Sequence, residues 1–210
     1  MTSSKSNSPD PARVLVIHGG ARSGGLGQRL ADFTVECLEK TGAQCRRHDL
    51  LADGFDPVLR LGSAEPHATR VEAAEEPLVA RYQADAIWAH GFVVLHPVYW
   101  FAPPALVKGW VDRVFVHDVA LRQKPEGSPE PLFGGKRALV VQTFNASRTV
   151  DLALFRGLAG SFWKRAVFAS VGIGDVTRLA LHELPQLDTE RLARFEDRLA
   201  EALAKLARKQ

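Results

Sequence analysis

The sequence predicts an α/β fold in which helices cover both faces of a parallel sheet. Short apolar runs alternate with longer stretches of helical periodicity along the chain, as parallel sheets with helical crossovers require. A glycine-rich loop joins the first apolar run to the first helix, and an aromatic loop flanked by prolines joins the third run to its helix. Both loops are expected at the carboxyl ends of strands, where open α/β sheets bind their ligands.

Size and composition fit one domain of ordinary globular character. The chain has 210 residues, 46% of them hydrophobic, and a formal net charge of +3 with both signs interspersed. We expect a flexible polar tail at residues 1–11 and a single domain over residues 12–210. The charge pattern disfavours nucleic acid as a partner, and no apolar run approaches the ~20 residues that span a bilayer. The two cysteines match no zinc or redox spacing, which predicts a cytoplasmic protein without a metal site.

The first loop has the composition of a phosphate cradle. The predicted strand Arg13–His18 is followed by five glycines within residues 19–27, and a helix is predicted from about Leu26 to Lys40. Backbone N–H groups at a helix N-terminus favour an anion there. The loop lacks the lysine of a P-loop and the spacing of a dinucleotide fingerprint, which disfavours an NTPase. Ser23 is a candidate phosphate ligand, and capping of the helix is its alternative role.

The remaining elements continue the alternation. The second strand, at residues 43–50, is more polar and is expected near a sheet edge, and residues 51–67 form a surface excursion. Right-handed crossovers and a switch point beside the first strand give the strand order 2-1-3-4-5. The later elements are predicted as a helix over 68–84, a third strand over 92–95, a helix ending near Phe115, a long loop over 116–131, a fourth strand over 136–143, a helix over 150–164, a fifth strand over 167–171, a short strand at 179–181 and a last helix from Asp188.

The third strand opens into a loop with three consecutive aromatic residues, Tyr99, Trp100 and Phe101. Core packing alone is the alternative interpretation, but three adjacent side chains cannot all point inward. The ends of the first, third and fourth strands are expected to converge, which places the aromatic loop beside the glycine loop and Thr143–Asn145. A phosphate cradle next to a stacking platform suits a flavin with a phosphate tail.

One stretch resembles a known family. The sequence HPVYWFAPPALVKGWVDRVF, residues 96–115, is similar to the signature of the flavodoxin-like NAD(P)H:quinone oxidoreductases, which include the ancillary flavoproteins of potassium-efflux systems. Weaker similarity covers the first strand, residues 49–57 and the run LFGGKRALVVQT. The resemblance implies a flavodoxin-like three-layer α/β/α sandwich with five parallel strands. It also implies a homodimer with bound FMN, or alternatively FAD, that takes hydride from NAD(P)H.

The resemblance assigns cofactor contacts by position, and these contacts fall into three groups. The residues expected at the flavin phosphates are His18, Ser23, Gly24 and Gly25. The residues expected to contact the isoalloxazine ring, partly through backbone N–H groups, are Pro97, Val98, Tyr99, Trp100 and Phe101. The residues expected along its pyrimidine edge are Thr143, Phe144, Asn145 and Ala146. No catalytic side chain is assigned, because the cofactor itself carries the hydride chemistry.

The sequence also departs from the family. Gly25 stands where the first loop usually carries Asn, and the T-T-G-G of the fourth-strand loop is replaced by residues 143–146. Asp151 falls near a Tyr that stabilises the reduced flavin in some members, and no His follows until His182. An acidic residue would not stabilise the negative charge of a reduced flavin, so Arg148 is the cation expected to do so.

The expected activity is ping-pong transfer of two electrons from NAD(P)H to a quinone or a similar small acceptor. Two alternatives stay open at this stage. One is a regulatory flavoprotein that acts by contacting a transporter or another partner. The other is a flavin-free binding module that keeps only the fold.

Overall fold

The computed structural model describes residues 10–20, 22–61, 68–72 and 75–208. Several predicted segments therefore lie partly outside the described residues. These are residues 1–9 of the expected tail, Ala21 of the glycine loop, 62–67 of the surface excursion and 73–74 of the predicted second helix.

Five parallel strands form the central sheet, and helices cover both of its faces. The order across the sheet is β2-β1-β3-β6-β7, while β4 and β5 pair separately as an antiparallel hairpin. The strands are β1 (Arg13–His18), β2 (Gln44–Asp49), β3 (Gly91–Pro97), β4 (Leu121–Gln123), β5 (Pro129–Pro131), β6 (Arg137–Thr143) and β7 (Asp175–Leu181). The α-helices are α1 (Leu26–Lys40), α2 (Pro77–Trp88), α3 (Ala105–Val114), α4 (Leu158–Ser161) and α5 (Thr189–Leu206).

Burial along each strand follows its place in the sheet. The central strands β1, β3 and β6 are buried almost throughout, as strands covered on both faces should be. The edge strands β2 and β7 alternate between exposed and buried positions. Helices α1 and α5 pack on one face, and α2, α3 and the segment beginning with α4 pack on the other.

The fifth strand of the sheet is β7, and the prediction of a strand over residues 167–171 is wrong. Val167, Phe168 and Val171 are buried at i, i+1 and i+4, which is a helical spacing. They belong to a helical segment in which α4 continues as a π-helical stretch, Phe162–Phe168, and a 3₁₀ turn. A short apolar run does not by itself distinguish a strand from a buried helix, and tertiary burial decides here.

Three other predicted elements have different bounds or character. The helix predicted over 68–84 begins at Pro77, because proline is well suited to the first position of a helix, and it ends at Trp88. The predicted loop over 116–131 contains the β4–β5 hairpin. The helix predicted over 150–164 is broken into two parts, the π-helical turn Val150–Leu154 and the segment that begins with α4. Gly157, in a left-handed conformation (φ 65°), separates them.

Two glycines allow the elements around the ligand-binding edge to approach closely. A β-carbon on Gly19 would lie 1.9 Å from Cγ2 of Val107, so the first loop packs directly against α3. A β-carbon on Gly109 of α3 would lie 2.3 Å from the carbonyl oxygen of Pro57. Helix α3 is thereby fixed between the first loop and the segment after β2. None of the helices in the described ranges has the length and apolar character needed to cross a bilayer.

Candidate functional site

The loops that follow β1, β3 and β6 meet at the carboxyl edge of the sheet. The N–H of Gly19 donates to Leu95 of β3 at 2.9 Å, and the N–H of Val98 donates to Thr143 of β6 at 2.9 Å. At the far edge, the N–H of Phe144 donates to Leu181 of β7 at 2.8 Å. The structure thus brings together the three loops that contain the predicted site residues.

His18 lies at the floor of the glycine loop. Its ring occupies the space that β-carbons on Gly20 and Gly27 would fill, at 2.6 Å and 3.0 Å from Nε2. The side chain is 2% exposed, and among the described residues Nε2 has no hydrogen-bond partner. A buried nitrogen without a partner is costly in a folded protein, and this one is surrounded by the loop that the sequence marks as a phosphate cradle.

Asp49 determines the tautomer of His18. Nδ1 lies 3.4 Å from Oδ2 of Asp49, and a carboxylate can only accept, so Nδ1 carries the proton. Burial lowers the pKa of His18 below its ordinary value, although the attraction of Asp49 opposes this shift. The neutral ring therefore presents a lone pair at Nε2. While Nδ1 keeps its proton for Asp49, Nε2 can donate a hydrogen bond to an anion only after His18 takes up a second proton.

The N-terminus of α1 completes the cradle. Gly25 is the N-cap residue, and no side chain caps the helix, so Ser23 does not take the capping role considered for it. The first turn contains no acidic residue. Ser23 and Gly24 are exposed beside these first-turn N–H groups. A helix start without a side-chain cap leaves its first N–H groups available to an anion.

The aromatic loop after β3 is a tight turn with a strained backbone. Tyr99 and Ala102 exchange two backbone hydrogen bonds of 3.0 Å, and between them Trp100 (φ 51°) and Phe101 (φ 57°) are both left-handed. Bulky side chains rarely adopt this conformation, and such residues cluster at binding sites. Trp100 is 98% exposed and Tyr99 is 49% exposed, so the turn presents aromatic surface to solvent.

The third aromatic residue of the turn anchors it to the rest of the protein. The ring of Phe101 stacks on Phe155, with 3.6 Å between centroids and an interplanar angle of 15°. Phe155 follows the π-helical turn Val150–Leu154. The prediction that these three aromatics are not simply core residues agrees with the exposure of Tyr99 and Trp100, while Phe101 is half-buried.

A buried histidine supports the turn from below. Nδ1 of His96 donates to the carbonyl oxygen of Pro97 at 2.6 Å, and Nε2 accepts from the indole of Trp163 at 2.8 Å. Burial lowers the pKa of His96 to about 4, so the ring is neutral at physiological pH. His96 therefore holds the chain at the start of the turn, and it does not present a free nitrogen to a ligand.

The loop after β6 contains residues with different environments. Asn145 is exposed, and Ala146 is half-buried beside it. Phe144 is buried, and its ring stacks on His182 with 4.6 Å between centroids. The backbone of Phe144 is also engaged, since its N–H donates to Leu181 and its carbonyl accepts from Leu184. Phe144 therefore supports the loop from below, and Asn145 is its accessible residue.

A buried ionic cluster lies under this loop, and the sequence did not reveal it. Oδ2 of Asp151, a fully buried residue, accepts from Nη2 of Arg178 at 2.8 Å and from Nε2 of His182 at 3.1 Å. Nε of Arg178 donates to Gln142 at 2.6 Å, and Gln142 lies 3.4 Å from His96. The partners come from β3, β6, β7 and the π-helical turn, so only the strand order could have indicated their proximity.

His182, the first histidine after Asp151 in the sequence, lies directly after β7 and contacts the Asp151 carboxylate there. Arg148, expected to offset the charge of a reduced flavin, is exposed two residues beyond Ala146. In the parts of the chain that the structure describes, no group of three His, Cys, Asp or Glu side chains could hold a metal ion.

The sheet order and the loops at its carboxyl edge define an open, doubly wound α/β protein. The chain matches the family described as Flavodoxin-like fold over residues 12–206 and belongs to that family. The prediction of a flavodoxin-like fold with a five-stranded parallel sheet between helices is confirmed.

Curated relatives share a common type of name. The chain is 34% identical over 178 residues to FMN-dependent NADH:quinone oxidoreductase 1 of Pseudomonas syringae pv. tomato, a match that covers 81% of this chain and 83% of the relative. It is 29% identical over 133 residues to FMN-dependent NADH:quinone oxidoreductase 3 of Pseudomonas fluorescens, covering 61% of this chain and 64% of that one. The chain thus spans less than two thirds of the length of some curated relatives.

Solved structures share the fold. An FMN-dependent NADH-azoreductase from Bacillus anthracis, in complex with FMN, superposes with a TM-score of 0.73 at 19% identity, covering 94% of this chain and all of that one. An NAD(P)H:quinone oxidoreductase from Methanothermobacter marburgensis gives a TM-score of 0.73 at 18% identity, covering 96% and 100%. At these identities the likeness shows the fold alone.

The strain in the aromatic turn predicts that Trp100→Asn stabilises the ligand-free protein. Asparagine tolerates the left-handed conformation, and little packing is lost because Trp100 is almost fully exposed. We expect the free energy of unfolding to rise by about 1 kcal/mol, measured by chemical denaturation. Arg156→Asn, at a second exposed residue with φ 51°, is the matched control and should give a similar gain. A loss of stability for Trp100→Asn would show that the turn is not strained.

Proposed function

We propose that this protein is an FMN-dependent NAD(P)H oxidoreductase that passes two electrons to a quinone or a similar small acceptor. The observation that carries the proposal is the placement of the unpartnered Nε2 of His18 one strand away from the strained turn containing Trp100. Neither feature contributes to the stability of the ligand-free protein, since one leaves a buried polar atom unsatisfied and the other strains the backbone. The names of the curated relatives support the same activity.

The spacing of the two features suits FMN. Neighbouring strands are about 4.8 Å apart, so the cradle after β1 and the loops after β3 and β6 extend over roughly 10 Å along the sheet edge. When the flavin ring lies on the turn, its ribityl chain is long enough to place the terminal phosphate in the cradle. When bound, the flavin supplies the capacity to accept a hydride and to deliver two electrons.

The protein's own groups bind and orient the ligands in this proposal. His18, Ser23, Gly24 and Gly25 bind the phosphate, the turn from Pro97 to Phe101 supports the ring, and Thr143, Asn145 and Ala146 line its pyrimidine edge, with Phe144 beneath them. NAD(P)H and the acceptor both bind to the exposed face of the flavin ring, above Tyr99 and Trp100. Because one face serves both, they bind in succession, which gives ping-pong kinetics.

We also propose a cytoplasmic homodimer built from a single domain over residues 12–210. Four apolar side chains beside the aromatic turn support an interface there, because exposed apolar clusters commonly mark one. They are Leu152, Leu154, Phe155 and Leu158, with exposed fractions of 44%, 70%, 38% and 53%.

Leu154→Asp should separate the dimer into monomers, because burying a carboxylate in an apolar interface is costly. Sedimentation velocity measures the change. Leu61→Asp, at another exposed leucine on the segment after β2, should leave the dimer intact. A wild-type protein that sediments as a monomer would refute the homodimer.

Flavin uptake and turnover test the proposed function. The protein should bind FMN, lose the oxidised flavin absorption band on addition of NADPH or NADH, and recover it on addition of a quinone. Trp100→Asn should weaken FMN binding by roughly tenfold, as loss of one well-placed aromatic contact does, whereas Arg156→Asn should not. Uptake and reduction without reoxidation by a quinone would favour the regulatory flavoprotein. A protein that takes up neither FMN nor FAD would exclude both activities.

His18 should make FMN affinity pH-dependent. Burial holds the pKa of free His18 below 6.5, and a bound phosphate raises it by attraction. Binding is therefore coupled to proton uptake at a pH above the pKa of the free ring, and the affinity should fall as the pH rises above 6.5, by up to tenfold per unit. Fluorescence titration with FMN measures this slope.

The matched variants for this slope are His18→Asn and Ser23→Ala. His18→Asn should abolish the slope, because the amide does not titrate in this range. Ser23→Ala should weaken binding at every pH and keep the slope. A slope that persists in His18→Asn would assign the proton to another group.

A further inference from the structure

A second cationic pocket lies at the edge of the sheet formed by β7. It encloses about 300 Å³. It extends from the loop after β6, across the edge strand, to α5 on the opposite face of the sheet. It is lined by Arg148, Leu152, Arg178, Ala180, His182 and Arg198.

The charges around this pocket are not balanced. Arg178 is neutralised by the buried carboxylate of Asp151 at 2.8 Å, and the residues that line the pocket include no carboxylate. Across the described residues, neither Arg148 nor Arg198 forms an ion pair or a side-chain hydrogen bond. By contrast Arg194, one turn before Arg198 on α5, pairs with Glu190. Two uncompensated guanidinium groups therefore line one small pocket.

The floor of the pocket is rigid. Nε of Arg178 donates to Gln142 at 2.6 Å, Nε2 of His182 lies 3.1 Å from Asp151, and the ring of His182 stacks on Phe144. Because these side chains are fixed by one another, a ligand would have to order only Arg148 and Arg198. Arginine is suited to phosphate, since its planar fork can bind two oxygens at once.

The position of the pocket excludes the flavin phosphate as its ligand. The cradle at His18 follows β1, and β7 lies three strands away, about 14 Å along the sheet edge. The aromatic turn and the loop after β6 lie between them. A phosphate bound at β7 is therefore on the far side of the ring from the flavin's own phosphate, and it must belong to another ligand.

We propose that this pocket binds the 2′-phosphate of NADPH and gives the protein a preference for NADPH over NADH. The inference rests on the proposed function, in which a nicotinamide dinucleotide is the other phosphorylated ligand. The 2′-phosphate is a dianion, which matches the two uncompensated arginines, and it is the group that NADH lacks. The pocket begins two residues beyond Ala146, beside the loop assigned to the flavin's pyrimidine edge.

Arg198→Gln tests the proposal, because Arg198 lies on α5, away from the residues assigned to FMN. With NADPH, kcat/KM should fall roughly tenfold, as loss of one charge-assisted hydrogen bond implies, while kcat/KM with NADH stays unchanged. Arg194→Gln, which removes a paired arginine from the same helix, is the matched control and should change neither value. The NADPH preference of the wild type should also shrink as salt is added.

A binding measurement separates this site from turnover. In calorimetric titrations of the FMN-loaded protein, adenosine 2′,5′-bisphosphate should bind more tightly than 5′-AMP, and Arg198→Gln should remove the difference. Equal use of NADPH and NADH by the wild type, or equal losses for Arg198→Gln and Arg194→Gln, would overturn the inference and leave the proposed function standing. Failure to bind FMN or to oxidise either nucleotide would instead overturn the proposed function.

Discussion

The left-handed backbone of Trp100 and Phe101 is the constraint on which the site depends. Each such residue costs about 1–3 kcal/mol, so the surrounding structure must hold the turn in place. Paired hydrogen bonds between Tyr99 and Ala102 close it, and the stack of Phe101 on Phe155 anchors it. The bond from Val98 to Thr143 ties its start to the next strand. The protein thereby presents aromatic surface that does not collapse into its own core.

The support beneath the turn extends across half of the sheet. Neutral His96 connects the carbonyl of Pro97 to Trp163, and Gln142 connects this pair to Arg178 and thus to Asp151 and His182. The chain of contacts runs from β3 to the edge strand β7. The floor of the cationic pocket and the base of the aromatic turn are therefore parts of one buried polar network, and a change in either should affect the order of both.

The sequence predicted the parts of the site that depend on local pattern. A glycine-rich loop between a strand and a helix, and aromatics between a strand and two prolines, are visible without tertiary information. The His18 environment is only half visible, because its unpartnered Nε2 depends on the close approach of Gly27 and on Asp49 from β2. The Asp151–His182 pair joins residues 31 apart on different elements, so no spacing rule could indicate it.

In the fold, too, the elements that depend on local pattern were predictable and those that depend on tertiary contacts were not. The central strands were predictable because a continuous apolar run is typical of a strand buried on both faces. Of the edge strand β7 only the end was predicted, as a short strand at 179–181, because its alternation of exposed and buried residues is a weaker signal than the apolar run containing Val167 and Phe168. The π-helical turn Val150–Leu154 also depends on tertiary contacts, since Asp151 is buried there among its ionic partners.

The most direct test of this account is a crystal structure of the protein with FMN. The flavin ring should lie against the turn at Tyr99 and Trp100, with a phosphate oxygen within hydrogen-bonding distance of Nε2 of His18. The left-handed conformations of Trp100 and Phe101 should be the same with and without the ligand. A phosphate bound away from the Gly19–Gly27 loop, or a ring away from the turn, would contradict it.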